Sequence, residues 1–312
     1  MQDIDLRGII PAIVTPMTNE GDLDLPALKR YVQWLAEQGP VALAVNVDTG
    51  EGPHLTADEK RQTLETVAEA VAGKCKVVGG VAGPSTAQGV TNARAALAAG
   101  ADALLVFPIS AFLGQPLNPE VPYRYHAAIA EAVDLPLILF QLQPALGGVL
   151  YTTETLHKLI AIPTVAAIKE ASFDAMRFLQ VKAALESASR KITFLTGNDN
   201  FVCESFILGA EGALLGFSTL GTREQVMMLD AIRRGDIDQA RELGARLQPL
   251  ADVIFAPPIT DYRARTKEAL KMLGILENTT VRAPLLPVLE AECETIRQAL
   301  EHAELLSKPA YI

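Results

Sequence analysis

The stretch KVVGGVAGPSTAQGVTNARAALAAGADALLVFP, residues 76–108, contains two apolar runs separated by an amphipathic segment. The runs 76–83 and 101–108 are short and almost continuously apolar, as expected of parallel strands that are covered on both faces. Residues 85–100 have the length of a helix and end at Gly100, a common helix stop. The stretch therefore predicts a strand, a crossover helix and a second parallel strand.

The same alternation recurs along the chain. Six more apolar runs predict strands at 8–15, 41–47, 136–143, 164–172, 192–199 and 212–219. Helices are predicted at 24–39, 56–73, 119–132, 153–160, 174–189, 200–208 and 222–234, with Thr56 as an N-cap. Eight strand–helix units predict a (β/α)8 TIM barrel over residues 1–234 rather than an open doubly wound sheet.

The remaining chain has a different pattern. Residues 236–306 contain three amphipathic helical segments with no strand between them. We therefore predict that residues 235–312 form a C-terminal helical bundle packed on the barrel.

Bulk composition excludes several classes of protein. The 312 residues are 49% hydrophobic and carry a formal net charge of −10, which argues against a nucleic-acid or anionic-membrane partner. The least charged stretch, 135–153, is interrupted by prolines and glycines and predicts no membrane span. The N-terminal segment is acidic where a signal peptide is basic. Three widely spaced cysteines, with no metal-ligand spacing, predict a cytoplasmic protein without disulfides, metal or cofactor.

One lysine interrupts an apolar strand. In VAAIKEAS, residues 165–172, Lys169 stands in a run that should be buried. Alternation along a strand points Lys169 into the barrel together with Val165, Ala167 and Ala171, and points Glu170 away. A desolvated lysine loses proton affinity, and the neutral amine can form a Schiff base with a carbonyl carbon. The alternative is a lysine that reaches solvent or pairs with a distant carboxylate.

Several motifs together resemble the dihydrodipicolinate synthase/N-acetylneuraminate lyase family. They occur in one order along the chain: GIIPAIVTPMTNEGDLDLPAL, DTGEGPHLTADEKR, GGVAG, AGADALLVFP, PTVAAIKEAS, TGND, LGAEGALLGFSTL and RTKEALKMLG. The resemblance implies a Schiff-base-forming lyase, aldolase or dehydratase that acts on a 2-keto acid such as pyruvate, with Lys169 as the Schiff-base residue. It also implies a homodimer or a homotetramer.

The resemblance further implies a carboxylate-binding loop after the second strand. The family pattern there is Gly-Thr-Thr-Gly-Glu or Gly-Ser-Thr-Gly-Glu, whereas this chain has VDTGE, residues 47–51. Backbone amides and the Thr49 hydroxyl are suited to hold the carboxylate of a keto acid. Predicted substrate contacts are Asp48, Thr49, Gly50 and, on the last strand, Leu214.

Other positions depart from the family. The usual tyrosine after the fifth strand, which relays protons, falls on Phe140 or Gln141, and the arginine of the synthases is absent. After the fourth strand, Phe112 and Leu113 stand near a missing tyrosine pair that crosses the dimer interface of the synthases. Because Phe140 cannot titrate, we predict that Asp48 is a catalytic acid/base whose pKa is raised by an apolar setting, with Thr49 orienting the proton. If Asp48 does not take this role, we expect a water molecule held by Gln141 to take it. A simple turn aspartate is the alternative.

Two functions remain open at this point. Retention of Lys169 and of the Thr49-Gly50-Glu51 segment favours an active enzyme. Loss of the tyrosine and the arginine favours a changed substrate, or a keto-acid-binding or regulatory protein on the same scaffold.

Overall fold

The protein is a (β/α)8 barrel, as the alternating pattern predicts. The computed structural model describes residues 4–114 and 116–306. All pairings between its strands are parallel, and the sheet order is β1-β8-β7-β6-β5-β4-β3-β2. The strands are β1 Ile9–Pro11, β2 Ala42–Val45, β3 Lys76–Val81, β4 Ala103–Val106, β5 Leu137–Leu142, β6 Val165–Ala171, β7 Thr193–Thr196 and β8 Gly212–Leu215.

The first and second strands close the barrel. The amide of Val41 donates to the carbonyl of Ile9 at 3.0 Å, and the amide of Ile13 donates to the carbonyl of Ala44 at the same distance. Closure removes the free sheet edges and places the carboxyl ends of all eight strands around one mouth.

Eleven α-helices are present in the described residues. Their bounds are α1 Leu25–Ala36, α2 Ala57–Ala70, α3 Thr86–Ala98, α4 Glu120–Ala132, α5 Thr153–Ile160, α6 Ala175–Glu186, α7 Val202–Ile207, α8 Thr222–Arg234, α9 Ile237–Ile254, α10 Tyr262–Met272 and α11 Glu290–His302. Thr56 caps α2 as predicted: its hydroxyl accepts from the Glu59 amide, and the Glu59 carboxylate accepts from the Thr56 amide.

Side chains along each strand alternate between the inside and the outside of the barrel, and they form two apolar clusters. The cluster inside the barrel is filled mainly by Ile10, Ala12, Ala42, Ala44, Val78, Ala103, Leu105, Ile138, Phe140, Ala167, Leu195 and Leu214. The larger cluster lies between the barrel and its helices and also includes residues of α9, α10 and α11. The C-terminal helices therefore share one continuous apolar core with the outside of the barrel.

Val165, which the sequence predicts to point into the barrel, points outward instead. The register between β5 and β6 shifts by one residue, because Leu137 pairs with Val165 whereas Ile138 pairs with Ala167. The extra residue is a β-bulge, which reverses the alternation at that point. Val165 therefore belongs to the outer cluster, while Ala167 and Ala171 lie inside as predicted.

Every strand ends before its predicted apolar run does, and β7 and β8 are the two cases that shape the cavity. The ladder of β7 stops at Thr196, and that of β8 stops at Leu215 before a single 3₁₀ turn, Phe217–Thr219. Segments beyond the ladder can fold inward over the barrel mouth, which is where Asp199 and Gly216 lie. Among residues 4–114 and 116–306, none of the helices combines the length and the hydrophobicity of a membrane-spanning segment.

Candidate active site

A cavity opens at the carboxyl ends of the strands. Its polar lining comes from Asp48, Thr49, Lys169, Asp199 and Tyr262. Its walls are otherwise largely apolar, with Val47, Phe107, Phe140, Leu142, Leu146, Phe173, Phe255 and Ile259. The cavity therefore combines a small set of titratable groups with a hydrophobic enclosure, the usual composition of a small-molecule site.

Lys169 projects into this cavity from β6. Gly197 makes room for it, since a Cβ at that position would lie 2.6 Å from Lys169 Cε. Burial lowers the pKa of the Lys169 amine to about 8, and the negative charges of Asp199 and Asp48 oppose that shift. About a tenth of this amine is therefore neutral, and nucleophilic, at pH 7.

Asp199 is the carboxylate most strongly affected by the cavity. Its side chain is buried after β7, and its Oδ1 accepts a hydrogen bond from the amide of Phe217 at 2.9 Å. Burial raises the pKa of Asp199 to about 7, although that hydrogen bond and Lys169 favour the ionised form. Such a value suits a group that exchanges protons near neutrality.

The loop after β2 reaches the cavity through two of its three predicted contacts. Asp48 and Thr49 line it, whereas Gly50 lies behind them. The hydroxyl of Thr15 donates to the Gly50 carbonyl at 2.7 Å, and a Cβ on Gly50 would lie 2.9 Å from the Ile13 carbonyl oxygen. Gly50 therefore permits close packing of the loop against β1.

The surroundings of Asp48 differ from the apolar setting that we expected. Its Oδ2 accepts from the Tyr262 hydroxyl at 2.9 Å and from Arg263 Nη2 at 2.5 Å. Arg263 Nε also donates to the backbone carbonyl of Asp48 at 2.8 Å. The carboxylate is thus held by a guanidinium and a phenol, so the expectation of an apolar setting for Asp48 is wrong.

A fully buried ion pair holds the base of the same loop. Lys267 Nζ lies 2.6 Å from Glu51 Oε1, and neither side chain is exposed. The other carboxylate oxygen of Glu51 accepts from the amide of Arg282 at 2.7 Å. Glu51 adopts a positive φ of 58°, which these bonds from α10 and the following segment stabilise.

The structure corrects the role predicted for Gln141. Phe140, not Gln141, faces the cavity, because Phe140 pairs with Lys169 and Gln141 pairs with Glu170. The Gln141 amide group donates to Glu170 Oε1 at 3.1 Å and accepts from the Tyr151 amide at 2.9 Å. With both ends of its amide engaged outside the barrel, Gln141 cannot position a water molecule in the cavity.

Glu170 organises the outer side of the same strand ends. Its Oε1 accepts from the Ser172 amide at 3.0 Å, and its Oε2 accepts from Asn198 Nδ2 at 2.8 Å. Asn198 Oδ1 in turn accepts from the amide of Phe173 at 2.6 Å. This network holds Phe173 at a φ of 61°, with its ring against the cavity.

Leu214 is also misassigned by the sequence analysis. Its side chain is fully buried in the barrel interior, where it belongs to the inner apolar cluster and does not line the cavity. Gly216, two residues further along, lines the cavity instead. A Cβ on Gly216 would lie 3.1 Å from Thr49 Oγ1 and 3.4 Å from Tyr262 Cε2.

Sequence reasoning missed the residues that α10 and the turn before it contribute. Tyr262 and Arg263 lie more than 200 positions from Asp48, and nothing in the local pattern around 262 indicates a cavity. The sequence offers one indication of their role: Tyr262 and Arg263 lie just before the motif RTKEALKMLG, which resembles the family pattern. Within residues 4–114 and 116–306, no cluster of three or more His, Cys, Asp or Glu side chains is arranged to hold a metal ion.

Comparison with known proteins identifies relatives over nearly the whole chain. The family model described as the dihydrodipicolinate synthetase family matches residues 5–303. A 4-hydroxy-tetrahydrodipicolinate synthase of Gluconacetobacter diazotrophicus is 31% identical, covering 98% of this chain and 100% of that one. The corresponding protein of Corynebacterium aurimucosum is 34% identical, covering 93% of this chain and 91% of that one.

Solved structures agree with the sequence relatives. The dihydrodipicolinate synthase of Acinetobacter baumannii, complexed with pyruvate, has a TM-score of 0.86 and 29% identity, covering 97% of this chain and 100% of that one. These similarities confirm the resemblance inferred from the sequence motifs and, with it, the prediction of an enzyme of that family.

Proposed function

Because the chain belongs to the dihydrodipicolinate synthetase family, we propose that it is a Schiff-base-forming lyase or aldolase that acts on a 2-keto acid such as pyruvate. The proposal is carried by Lys169, an amine of lowered pKa inside the cavity at the barrel mouth. A neutral amine in that position can attack the keto carbon and form an imine. The imine then withdraws electrons from the adjacent carbon, where a bond is made or broken.

Groups for the substrate carboxylate lie opposite the amine. Thr49 lines the cavity, and its backbone amide, next to that of Gly50 behind it, has no protein acceptor among the described residues. Successive amides of a turn form a concavity that suits an anion. Asp48 does not disfavour a neighbouring carboxylate as a bare charge would, because Arg263 compensates it.

The apolar walls favour a second fragment without a charge. Phe107, Phe140, Leu142 and Phe173 face the space above Lys169, and no arginine lines the cavity within the described residues. A carboxylate on the aldehyde partner would be desolvated there without a counter-charge, which is costly. We therefore propose an apolar or aromatic aldehyde as the partner, in preference to a charged semialdehyde.

Reduction with borohydride tests the imine. We expect pyruvate plus borohydride to add one covalent group, which peptide mass spectrometry locates at Lys169, and Lys169→Ala to abolish the adduct. Lys76→Ala, on an exposed lysine at the opposite end of the barrel, is the matched control and should trap normally. An equal adduct in Lys169→Ala would contradict the assignment.

Turnover separates the enzyme from the alternative of a keto-acid-binding or regulatory protein. With pyruvate present, we expect consumption of benzaldehyde-type aldehydes to exceed that of an aldehyde bearing an α-amino carboxylate. Trapping without consumption of any aldehyde would favour the binding protein. The cytoplasmic location stays a prediction.

A further inference from the structure

The hydroxyl of Tyr262 lies between two polar groups at the cavity wall. It is 2.9 Å from Asp48 Oδ2 and 3.4 Å from Thr49 Oγ1. Tyr262 and Thr49 are both buried, and both line the same cavity as Lys169. Three oxygen atoms, from a threonine, a tyrosine and a carboxylate, therefore form one continuous chain.

The number of protons on the three oxygen atoms determines which of them donates and which accepts each hydrogen bond. A phenol has one proton to donate, and an ionised carboxylate only accepts. The shorter bond to the charged acceptor takes the Tyr262 proton, so the Thr49 hydroxyl donates to the phenol oxygen. The two lone pairs of the Thr49 oxygen are then available to accept a proton from a molecule in the cavity.

Neighbouring groups keep the chain in this state. Arg263 holds the Asp48 carboxylate from its side chain and its backbone. Burial, followed by the charge of Asp48, raises the pKa of Tyr262 well above its ordinary value. Tyr262 therefore stays protonated and can pass a proton along, but does not act as a phenolate base.

We propose that Thr49, Tyr262 and Asp48 form the proton relay of this enzyme, and that Tyr262 is a catalytic residue supplied by the C-terminal helix α10. The inference rests on the proposed Schiff-base function. The proposed relay supplies the acid/base groups from the α10 side of the cavity. On the β5 side, the cavity is lined by the ring of Phe140, which cannot titrate.

The relay has a defined task in imine formation. The Lys169 nitrogen forms a bond to the keto carbon, two protons leave that nitrogen, and the keto oxygen departs with both as water. For each transfer, Thr49 takes a proton from the adduct, the Thr49 proton moves to Tyr262, and the Tyr262 proton moves to Asp48. The reverse sequence delivers the proton to the departing oxygen, so the relay ends unchanged and atoms and charges balance.

Removing the phenol hydroxyl is the direct test. Tyr262→Phe keeps the ring stacked on Phe255, where the centroids are 4.9 Å apart. With pyruvate as the probe, rapid mixing and borohydride quenching should show imine formation slowed by about 100-fold or more. The final extent should remain one adduct per chain, because Lys169 is intact. Tyr125→Phe, which loses a buried hydroxyl 3.4 Å from the Gly83 carbonyl away from the cavity, should react at the native rate.

Two variants of Thr49 test the relay even if Tyr262→Phe does not fold. Thr49→Ser retains the hydroxyl and should be slowed far less than Thr49→Val, which should slow as Tyr262→Phe does. The native rate should fall in deuterated water, and this isotope effect should shrink in Thr49→Val and Tyr262→Phe. A purely structural role for either side chain would not change the isotope effect.

The outcomes separate this inference from the proposed function. A native rate in folded Tyr262→Phe, or equal rates in Thr49→Ser and Thr49→Val, would overturn the relay while leaving Lys169 in place. Absence of any adduct in the native protein would instead overturn the proposed function.

Discussion

The aromatic ring of Phe140 contacts the amine of Lys169, with Nζ 4.3 Å from the ring centroid. The two residues are directly paired between β5 and β6, so adjacent inward positions of the sheet bring them together. Phe107 supports the arrangement by an edge-on contact with Phe140 at 5.0 Å between centroids. The nucleophile is therefore set against an aromatic wall, and its proton affinity depends on burial, on that ring and on two nearby carboxylates.

The pH dependence of trapping should follow the Lys169 amine. Because the pKa of Lys169 is lowered to about 8, the rate of adduct formation with pyruvate should rise about fivefold from pH 7 to pH 8 and level off above pH 9. Single-turnover borohydride quenching across that range measures the inflection. An inflection near 10, the value of a solvated lysine, would contradict this prediction.

Substitution of Asp199 should move that inflection downward. The negative charge of Asp199 favours the ammonium form of Lys169, so Asp199→Asn should lower the pKa of Lys169 further. At pH 7 a larger fraction of the amine is then neutral, and initial trapping by pyruvate should be faster than in the native protein. Asp134→Asn, in the exposed turn after α4, is the matched control and should leave the inflection unchanged. An upward shift in Asp199→Asn would exclude this coupling.

The buried Glu51–Lys267 pair should matter strongly for stability. Lys267→Met leaves the Glu51 carboxylate buried without its cation, and should lower the free energy of unfolding by about 3–5 kcal/mol. Lys29→Met breaks the exposed pair with Glu69 and should cost less than about 1 kcal/mol. Urea denaturation compares the two variants.

The double variant Glu51→Leu/Lys267→Met distinguishes the loss of the ion pair from the cost of leaving one buried charge unpaired. Because it removes both buried charges, it should recover part of the stability that Lys267→Met loses. Equal losses in Lys267→Met and Lys29→Met would show that the buried pair is not important for the fold.

We predict a homodimer, or a homotetramer built from two dimers, on the basis of the family resemblance. Phe112, expected at the interface, is instead buried against Tyr125, with centroids 5.6 Å apart. Leu113 is 52% exposed and remains available to a second copy. Leu113→Glu should therefore weaken association in light scattering, whereas Met176→Glu, on an exposed residue of α6, tests whether any exposed apolar site has that effect. A native monomer at micromolar concentration would contradict the prediction.

Local pattern was sufficient for the barrel and for the direction of Lys169. Apolar runs and amphipathic segments alternate because each strand is covered on both faces and each helix on one, so the pattern appears within short windows. The same alternation of side chains places Lys169 inside with Ala167 and Ala171. It fails at Val165, because a one-residue bulge cannot be recognised from the apolar run itself.

The direction in which the Gln141 side chain points could not be predicted without knowing the register between β5 and β6. Phe140 and Gln141 are neighbours, so a one-residue choice decides which of them faces the cavity. The pairing of Phe140 with Lys169 makes that choice, and it depends on the bulge at the start of β6. The position of Leu214 likewise depends on pairing between strands: it lies opposite Ile10 of β1 inside the barrel, below the cavity residue Gly216.

A (β/α)8 barrel with an inward lysine near the end of one strand can be predicted from the sequence, because both features follow from the order and period of nearby residues. The groups that surround that lysine are set by packing between distant parts of the chain. Asp48 meets Tyr262 and Arg263, and Glu51 meets Lys267, across more than 200 residues of chain. Such contacts arise when the closed barrel and the C-terminal helices pack together, and the pattern within a single segment carries no information about them.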